Sequence, residues 1–194
     1  MASLEQEAAR LSVTPFVMGV DFDGYSQRGR LVYQDDDGLL DLPLPALAGP
    51  HQIENAAVAV AAVRHFRLPL TEQEIGRGLR GVVWPARLMP LRGPLATRLE
   101  NDHELWLDGG HNAAGAQALH AALVEMNRSR PAPLVLISGM MESKDAARFF
   151  QPFADMAEKV VVLPIEGEPG ALDPQTLAEF PRALGLYTEL AATL

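Results

Sequence analysis

The stretch ELWLDGGHNAAGAQALHAALVEM, residues 104–126, joins a short apolar run to a long run rich in alanine and leucine. The first run predicts a strand and the second a helix. We expect Asp108 at the carboxyl end of the strand and Asn112 as the cap of the helix, whose first amides favour an anion. Binding of a phosphate or ribose fits this loop. A purely structural cap, with His111 exposed beside it, fits equally well.

Outward from this stretch, apolar runs alternate with helical runs. The predicted strands are LMPL, ELWLDG, LVLISG and KVVVLPI, and the predicted helices are NAAGAQALHAALVEM, KDAARFFQPFADMAE and DPQTLAEF. Such a βαβαβα series indicates an α/β fold with a mostly parallel, Rossmann-like sheet. Its ligand loops are expected at the carboxyl ends of the strands.

The first 80 residues follow another pattern. The end of a helix at residues 4–11 precedes a predicted strand, PFVMGVDF, at residues 15–22. The runs GRLVYQ and LLDLPLP flank an acidic turn ending in Gly38, which predicts a β-hairpin. Two helices are then expected, at HQIENAAVAVAAVRHF and at TEQEIGRGL, whose Thr71 opens a capping box. The predicted buried face of the longer helix comprises Ile53, Ala56, Ala57, Val60 and Val63.

A domain boundary is predicted near Trp84 and Pro85, because a proline-containing stretch separates the hairpin from the alternating units. This divides the chain into residues 1–83 and 84–194.

Composition excludes several classes of protein. Sixteen basic and 25 acidic side chains give a net charge of -9, and no basic run occurs, which argues against a nucleic-acid partner. There is no cysteine for a disulfide or a thiolate site. No apolar stretch approaches the roughly 20 residues of a membrane span, and the first residues lack a signal-peptide pattern. We therefore expect a soluble cytoplasmic protein without a membrane partner.

Besides the DGGHN loop, three short motifs carry polar side chains suited to ligand binding, and each has a plainer alternative. HQIEN places His51 and Asn55 on one helix face, as ligand contacts or as simple caps. WPARL places Arg87 after a rigid turn, where its fork suits phosphate or a surface ion pair. SGMMESKD places Lys144 and Asp145 after a predicted strand, or at a helix start capped by Ser143.

GRGLRG, residues 76–81, matches the spacing of a dinucleotide-binding loop. It ends a predicted helix instead of following a strand, so we interpret it as helix termination, with glycines near the left-handed conformation.

Together HQIENAA, WPAR, LDGGHN and SGMMESKD, in this order, resemble the C-terminal half of the bifunctional dihydrofolate synthase/folylpolyglutamate synthases of the Mur ligase superfamily. The resemblance runs from about residue 5 to about residue 180. It implies that residues 1–83 are the end of the ATPase, or central, domain. It implies that residues 84–194 are a Mur-ligase-type C-terminal domain, truncated because GLYTELAATL supplies no clear final strand.

The resemblance also implies an activity. Such enzymes use ATP and Mg²⁺ to convert a carboxylate to an acyl phosphate, which the amine of L-glutamate attacks. The acid is dihydropteroate or the glutamate tail of a folate. By motif, Asn55 is expected near the base of ATP, Arg87 at its phosphates, and Asp108 with neighbouring His111 in the same nucleotide site. His111 and Lys144 are weak catalytic candidates, Lys144 and Asp145 are expected near the domain cleft, and no metal ligand is assigned.

The two lysines, Lys144 and Lys159, do not follow a glycine, so the chain contains no phosphate loop of the G-x-x-x-x-G-K-[ST] type. The resemblance then implies a missing N-terminal ATPase domain that holds most of the Mg²⁺ contacts, without which the chain is inactive. Relatives often have alanine and proline where this chain has Gly110 and Ala113. Both changes are expected to be tolerated.

Two alternatives stay open. The chain could be a stand-alone module that binds a nucleotide or a partner protein. It could also be part of a peptidoglycan-precursor Mur ligase, although DGGHN disfavours this because those relatives usually carry a lysine-containing loop there.

Overall fold

The computed structural model describes residues 2–99 and 103–192. The chain divides into two compact units, Met1–Trp84 and Pro85–Leu194.

The first unit combines a helix, an antiparallel sheet and two further helices. Its elements in order are α1 (Ala2–Leu11), β1 (Phe22–Gln27), β2 (Arg30–Asp35), β3 (Gly38–Pro43), α2 (His51–His65) and α3 (Glu72–Gly81). Strand β2 lies between β1 and β3. The predicted hairpin is confirmed, with Asp35 paired to Gly38 across the turn.

The predicted strand at residues 15–22 is wrong. The chain turns there instead: the carboxylate of Asp21 accepts a hydrogen bond from the backbone N–H of Val17 at 2.7 Å, and Gly19 has a φ of 82°. Regular pairing begins only at Phe22. The apolar residues of this segment imitate a strand, but the local aspartate bond and the glycine favour a turn.

Helix α2 packs directly on the sheet of the first unit. Ala56, Ala57 and Val60 of the predicted face are buried, whereas Ile53 and Val63 are only partly buried. The close approach depends on Gly24 in β1, because a Cβ atom there would lie 2.2 Å from the Cβ of Ala57. Glycine inside a strand therefore marks the contact point of the helix.

Helix α3 begins as predicted, with a complete capping box between Thr71 and Glu74. The segment does end the helix, at Gly81, but the predicted left-handed conformation of its glycines is wrong. Gly76, Gly78 and Gly81 all lie within the helix and none has a positive φ. Val82, the first residue after the helix, has an extended backbone, and Gly76 packs against Pro43.

The second unit is the α/β part of the chain. Its elements are β4 (Met89–Pro90), β5 (Trp106–Leu107), α4 (Ala113–Ser129), β6 (Leu134–Ser138), α5 (Ala146–Phe150), β7 (Ala157–Val162), α6 (Pro174–Ala183) and β8 (Thr188–Leu190). Strands β6, β7 and β8 form a parallel sheet in that order, which confirms the predicted fold class. Its core includes Phe150, Phe153, Val160, Val162 and Leu177.

Three details of the second unit differ from prediction. LMPL and ELWLDG form a separate antiparallel pair, β4 with β5, rather than joining the parallel sheet. The helix predicted at KDAARFFQPFADMAE is shorter, because α5 gives way to a 3-10 helix, Gln151–Phe153, at a proline that lacks an N–H. GLYTELAATL does supply a strand, since β8 pairs with β7.

Within residues 2–99 and 103–192, no helix is both long and apolar enough to cross a lipid bilayer.

Candidate functional site

The turn at Ala86, Arg87 and Leu88 presents the arginine of WPARL. Ala86 has a φ of 56° and Leu88 a φ of 42°, both in the left-handed region that side chains disfavour. Leu88 is buried, with 4% of its surface exposed, while Arg87 between them is exposed. A backbone of this kind persists only where neighbouring groups hold it.

Asp108 provides that support. One of its carboxylate oxygens, Oδ2, accepts a hydrogen bond from the backbone N–H of Leu88 at 2.8 Å. The other, Oδ1, accepts from the N–H of Gly110 at 2.7 Å. The N–H of Gly109 in turn donates to the carbonyl oxygen of Ala86 at 2.9 Å. The arginine turn and the DGGHN loop, 20 residues apart in sequence, are thus joined by two hydrogen bonds, and the bond from Gly110 holds the Asp108 carboxylate within its own loop.

The two glycines of this loop make room for its neighbours. A Cβ atom on Gly109 would lie 3.3 Å from the carbonyl oxygen of Ala86 and 3.4 Å from Nη1 of Arg87. A Cβ atom on Gly110 would lie 2.8 Å from Oδ1 of Asp108. In this chain, alanine at residue 110 therefore requires the carboxylate to shift, which the sequence comparison did not anticipate.

Arg87 keeps most of its donors available. Its Nη1 donates weakly to the carbonyl oxygen of Ala86 at 3.3 Å. Among the residues that the structure describes, no carboxylate lies within ion-pair distance of its guanidinium. The surface ion pair considered above is therefore not formed in this part of the chain. An exposed, unpaired guanidinium fork suits a bidentate phosphate ligand.

His111 and Asn112 complete the loop. Nδ1 of His111 lies 2.9 Å from the carbonyl oxygen of Gly109. Because a carbonyl oxygen only accepts, Nδ1 is the donor of this hydrogen bond. The side chain of Asn112 accepts from the N–H of Gly115 at 2.8 Å, so it caps α4 as predicted.

Asn55 belongs to the first unit, and its amide is oriented by a chain of two hydrogen bonds. Its Nδ2 donates to Oε1 of Gln52 at 3.1 Å, and Nε2 of Gln52 donates to Nε2 of His51 at 2.9 Å. Gln52 is 4% exposed, so the exposed side chain of Asn55 is held by a buried partner. No side chain caps the start of α2, so Asn55 and His51 are not simple caps. The sequence places Gln52 beside these two residues at the helix start but assigns it no role, and its burial among apolar residues of α2 is what reveals one.

Lys144 and Asp145 lie in the segment before α5. Asp145 caps that helix by accepting from the N–H of Arg148 at 3.0 Å, so the alternative in which Ser143 is the cap is wrong. Within the described ranges, no hydrogen bond or ion pair joins Lys144 or Asp145 to the DGGHN loop. The structure therefore brings together Arg87, Asp108 and His111 but not these two.

Across residues 2–99 and 103–192, no three histidine, aspartate or glutamate side chains are grouped closely enough to hold a metal ion.

Comparison with known proteins gives this loop a context. No protein-family model matches the chain. The folylpolyglutamate synthase of Lacticaseibacillus casei is 31% identical over 154 residues, which cover 77% of this chain and 33% of that enzyme. The homologues of this chain are folylpolyglutamate and dihydrofolate synthases. The match lies in the C-terminal portion of those Mur-superfamily enzymes, as the motifs predict.

Solved structures of folylpolyglutamate synthases share the fold. The enzyme of Thermotoga maritima superposes with a TM-score of 0.71 at 27% identity, over 97% of this chain and 43% of its own. The Mycobacterium tuberculosis enzyme, solved with ADP and AMPPCP, gives a TM-score of 0.77 at 26% identity, over 100% and 43%. The chain thus spans about a third to under half of the length of the relatives it matches.

Proposed function

We propose that this chain is the C-terminal part of an ATP-dependent ligase that adds L-glutamate to dihydropteroate or to folates through an acyl phosphate. In this proposal, residues 1–83 end the ATPase domain and residues 84–194 form the C-terminal domain. A further N-terminal ATPase segment would supply the phosphate loop. The ligase would work in the cytoplasm.

The observation that carries the proposal is the exposed guanidinium of Arg87, which has no ionic partner among residues 2–99 and 103–192 and extends from a turn held to the DGGHN loop by Asp108. In the proposed role Arg87 binds the phosphates of ATP and offsets negative charge that develops during phosphoryl transfer. Asn55, whose amide is fixed by Gln52, would contact the base. His111 would lie beside the nucleotide.

ATP would supply the phosphoryl group that activates the carboxylate. Mg²⁺ completes the proposed set of cofactors, and its ligands would come mainly from the N-terminal segment. The chain's own residues bind and orient the nucleotide and help to keep water away from the reacting carboxylate. Lys144 and Asp145 stay candidates for the cleft, and we assign them no chemical step.

The nucleotide site is tested by isothermal titration of the 194-residue chain with Mg²⁺-ATP, beside Arg87→Ala and Asp108→Ala. We expect heat in the wild type that is lost in both variants. Circular dichroism spectra check that the variants are folded. Equal heat in all three proteins would contradict the site, whereas no heat from folded wild type would mean that this chain needs the N-terminal segment to bind.

The ligase activity is tested by a chimera in which this chain replaces the matching part of the L. casei enzyme. The readout is ADP release that requires both L-glutamate and a folate or dihydropteroate. A folded chimera that binds Mg²⁺-ATP but never releases ADP with these substrates would favour the alternative of a stand-alone binding module.

A further inference from the structure

The carboxylate of Asp108 has both oxygens engaged by backbone N–H groups of its own chain, at 2.8 Å from Leu88 and 2.7 Å from Gly110. Charge-assisted bonds of this kind are among the stronger hydrogen bonds in proteins. The side chain is partly buried in the loop. Its hydrogen bonds therefore go to the backbone that carries Arg87 and to the backbone that precedes α4.

Arg87 stands between two residues with positive φ, and neither of them is glycine. Each such residue is disfavoured, so the turn would relax to another backbone shape if its restraints were removed. Asp108 restrains the turn at Leu88, and the N–H of Gly109 restrains it at Ala86. These two bonds restrain the backbone on either side of Arg87, from which its side chain extends.

We propose that Asp108 is a positioning residue that acts on a nucleotide's phosphates through Arg87. This rests on the proposed function for its ligand, but its structural half stands without any ligand. Asp108 fixes the Ala86 to Leu88 turn in its left-handed form, and Arg87 makes the contact. Gly109 and Gly110 belong to the same arrangement. A side chain at Gly109 would crowd Ala86 and Arg87, and a side chain at Gly110 would crowd the carboxylate of Asp108.

The test uses Asp108→Asn, which keeps the shape but replaces one accepting oxygen with an NH₂ group that faces an N–H donor. In the wild type we expect slow amide exchange at Leu88 and Gly110. In the variant, exchange should quicken about tenfold at one of these amides, and NMR relaxation should show a more mobile Arg87 side chain. Asp173→Asn is the matched control, because Asp173 also accepts a backbone N–H, at the start of α6.

The part of the proposal that concerns the nucleotide is tested by a double-mutant cycle of Asp108 and Arg87, with Mg²⁺-ATP and adenosine as the ligands. We expect Asp108→Asn to weaken Mg²⁺-ATP about tenfold and to leave adenosine within about twofold. In an Arg87→Ala background, Asp108→Asn should change Mg²⁺-ATP affinity by less than about twofold. An equal loss for adenosine, or a full loss in the Arg87→Ala background, would overturn the proposal and make Asp108 a direct contact.

Two safeguards separate the possible failures. If folded wild type binds neither probe, the nucleotide site fails in this chain, while amide exchange and Arg87 mobility still decide whether Asp108 holds the turn. If the mobility of the Arg87 side chain were unchanged in Asp108→Asn, the proposal that Asp108 holds the turn would be refuted. If that variant does not fold, Gly110→Ala moves the carboxylate without removing it, and the same loss of order at Leu88 and Arg87 is expected.

Discussion

Each unit contains one notable aspartate and one notable arginine, arranged in opposite ways. In the first unit, the guanidinium of Arg64 binds both carboxylate oxygens of Asp35 at 2.6 and 2.7 Å. In the second, Asp108 binds backbone N–H groups, and the guanidinium of Arg87 has no ionic partner in the part of the chain that the structure describes. The same two residue types therefore serve different purposes. An arginine that binds the aspartate directly is structural, whereas an arginine whose neighbouring aspartate binds the backbone stays available to a ligand.

The ion pair between Arg64 and Asp35, here called the closed pair, also shifts the pKa values of the groups around it. The bidentate bond from Arg64 holds the pKa of the Asp35 carboxyl below its ordinary value. Burial of Tyr33, together with its hydrogen bond to Asp35, raises the pKa of its phenol. The side chain of Asp35 is 7% exposed and that of Arg64 20% exposed, so water screens the pair only weakly.

We expect the largest effect from a substitution that breaks the ion pair between Arg64 and Asp35, the closed pair. Arg64→Ala leaves a nearly buried carboxylate without its cation, so we expect the free energy of unfolding to fall by about 3 kcal/mol. Urea denaturation measures it. The control is Arg30→Ala, which removes an exposed pair with Asp41 in the same unit and should cost less than about 1 kcal/mol. Equal losses in the two variants would remove the distinction between the closed pair and an ordinary surface pair.

The next effect concerns the open arginine. Arg87→Ala should leave the free energy of unfolding within about 0.5 kcal/mol, because its exposed side chain lacks an ionic partner in the described structure. The affinity of the chain for Mg²⁺-ATP should fall about 30-fold, the loss of one charge-assisted contact. Titration calorimetry and urea denaturation measure the two quantities. Arg128→Ala, an exposed arginine of α4, is the control, and a large stability loss in Arg87→Ala would contradict the comparison.

Acid should distinguish the two aspartates. Since the folded-state pKa of Asp35 is lowered, the stabilisation it gives is present above its unfolded pKa of about 4 and is lost as the pH falls through the folded value. Asp35→Asn should therefore be less stable than wild type at pH 7 by about 2 kcal/mol. The gap should narrow below pH about 4. Thermal unfolding of both proteins over this range checks it, and a gap independent of pH would argue against an ionic role.

We expect the smallest effect from a change in salt concentration, which should act differently on Arg87 and on the ion pair between Arg64 and Asp35. Raising ionic strength from about 0.05 to about 0.5 M screens exposed charges far more than buried ones. Mg²⁺-ATP affinity should fall several-fold in wild type but less in Arg87→Ala. The stability difference between wild type and Arg64→Ala should change by less than about 0.5 kcal/mol. A salt-independent affinity would mean that Arg87 does not bind the phosphates.

The sequence predicted the parts of the fold that depend on local pattern. The capping box at Thr71, the cap at Asn112 and the hairpin at Gly38 all follow from short-range chemistry. The strand predicted at residues 15–22 failed because one side-chain bond from Asp21 and the positive φ of Gly19 outweigh apolar composition.

The site could be predicted only as a set of residues. WPAR and DGGHN pointed to Arg87 and Asp108, and the structure brings them together. Nothing local in the sequence indicates that Asp108 would bind the N–H of Leu88, because that bond joins residues 20 positions apart. The left-handed φ of Ala86 and Leu88 is equally hidden, since neither residue type favours it.

The absence of a side chain at Gly24 sets how closely helix α2 approaches the sheet of the first unit. The Cβ of Ala57 occupies the place that a side chain would take, so the distance between sheet and helix α2 is set by the absence of one carbon atom. Asn55 precedes Ala57 by two residues on the same rigid helix. A methyl group added in the strand would therefore move helix α2, and Asn55 with it, away from the sheet, and under the proposed function this would shift the contact between Asn55 and the nucleotide base.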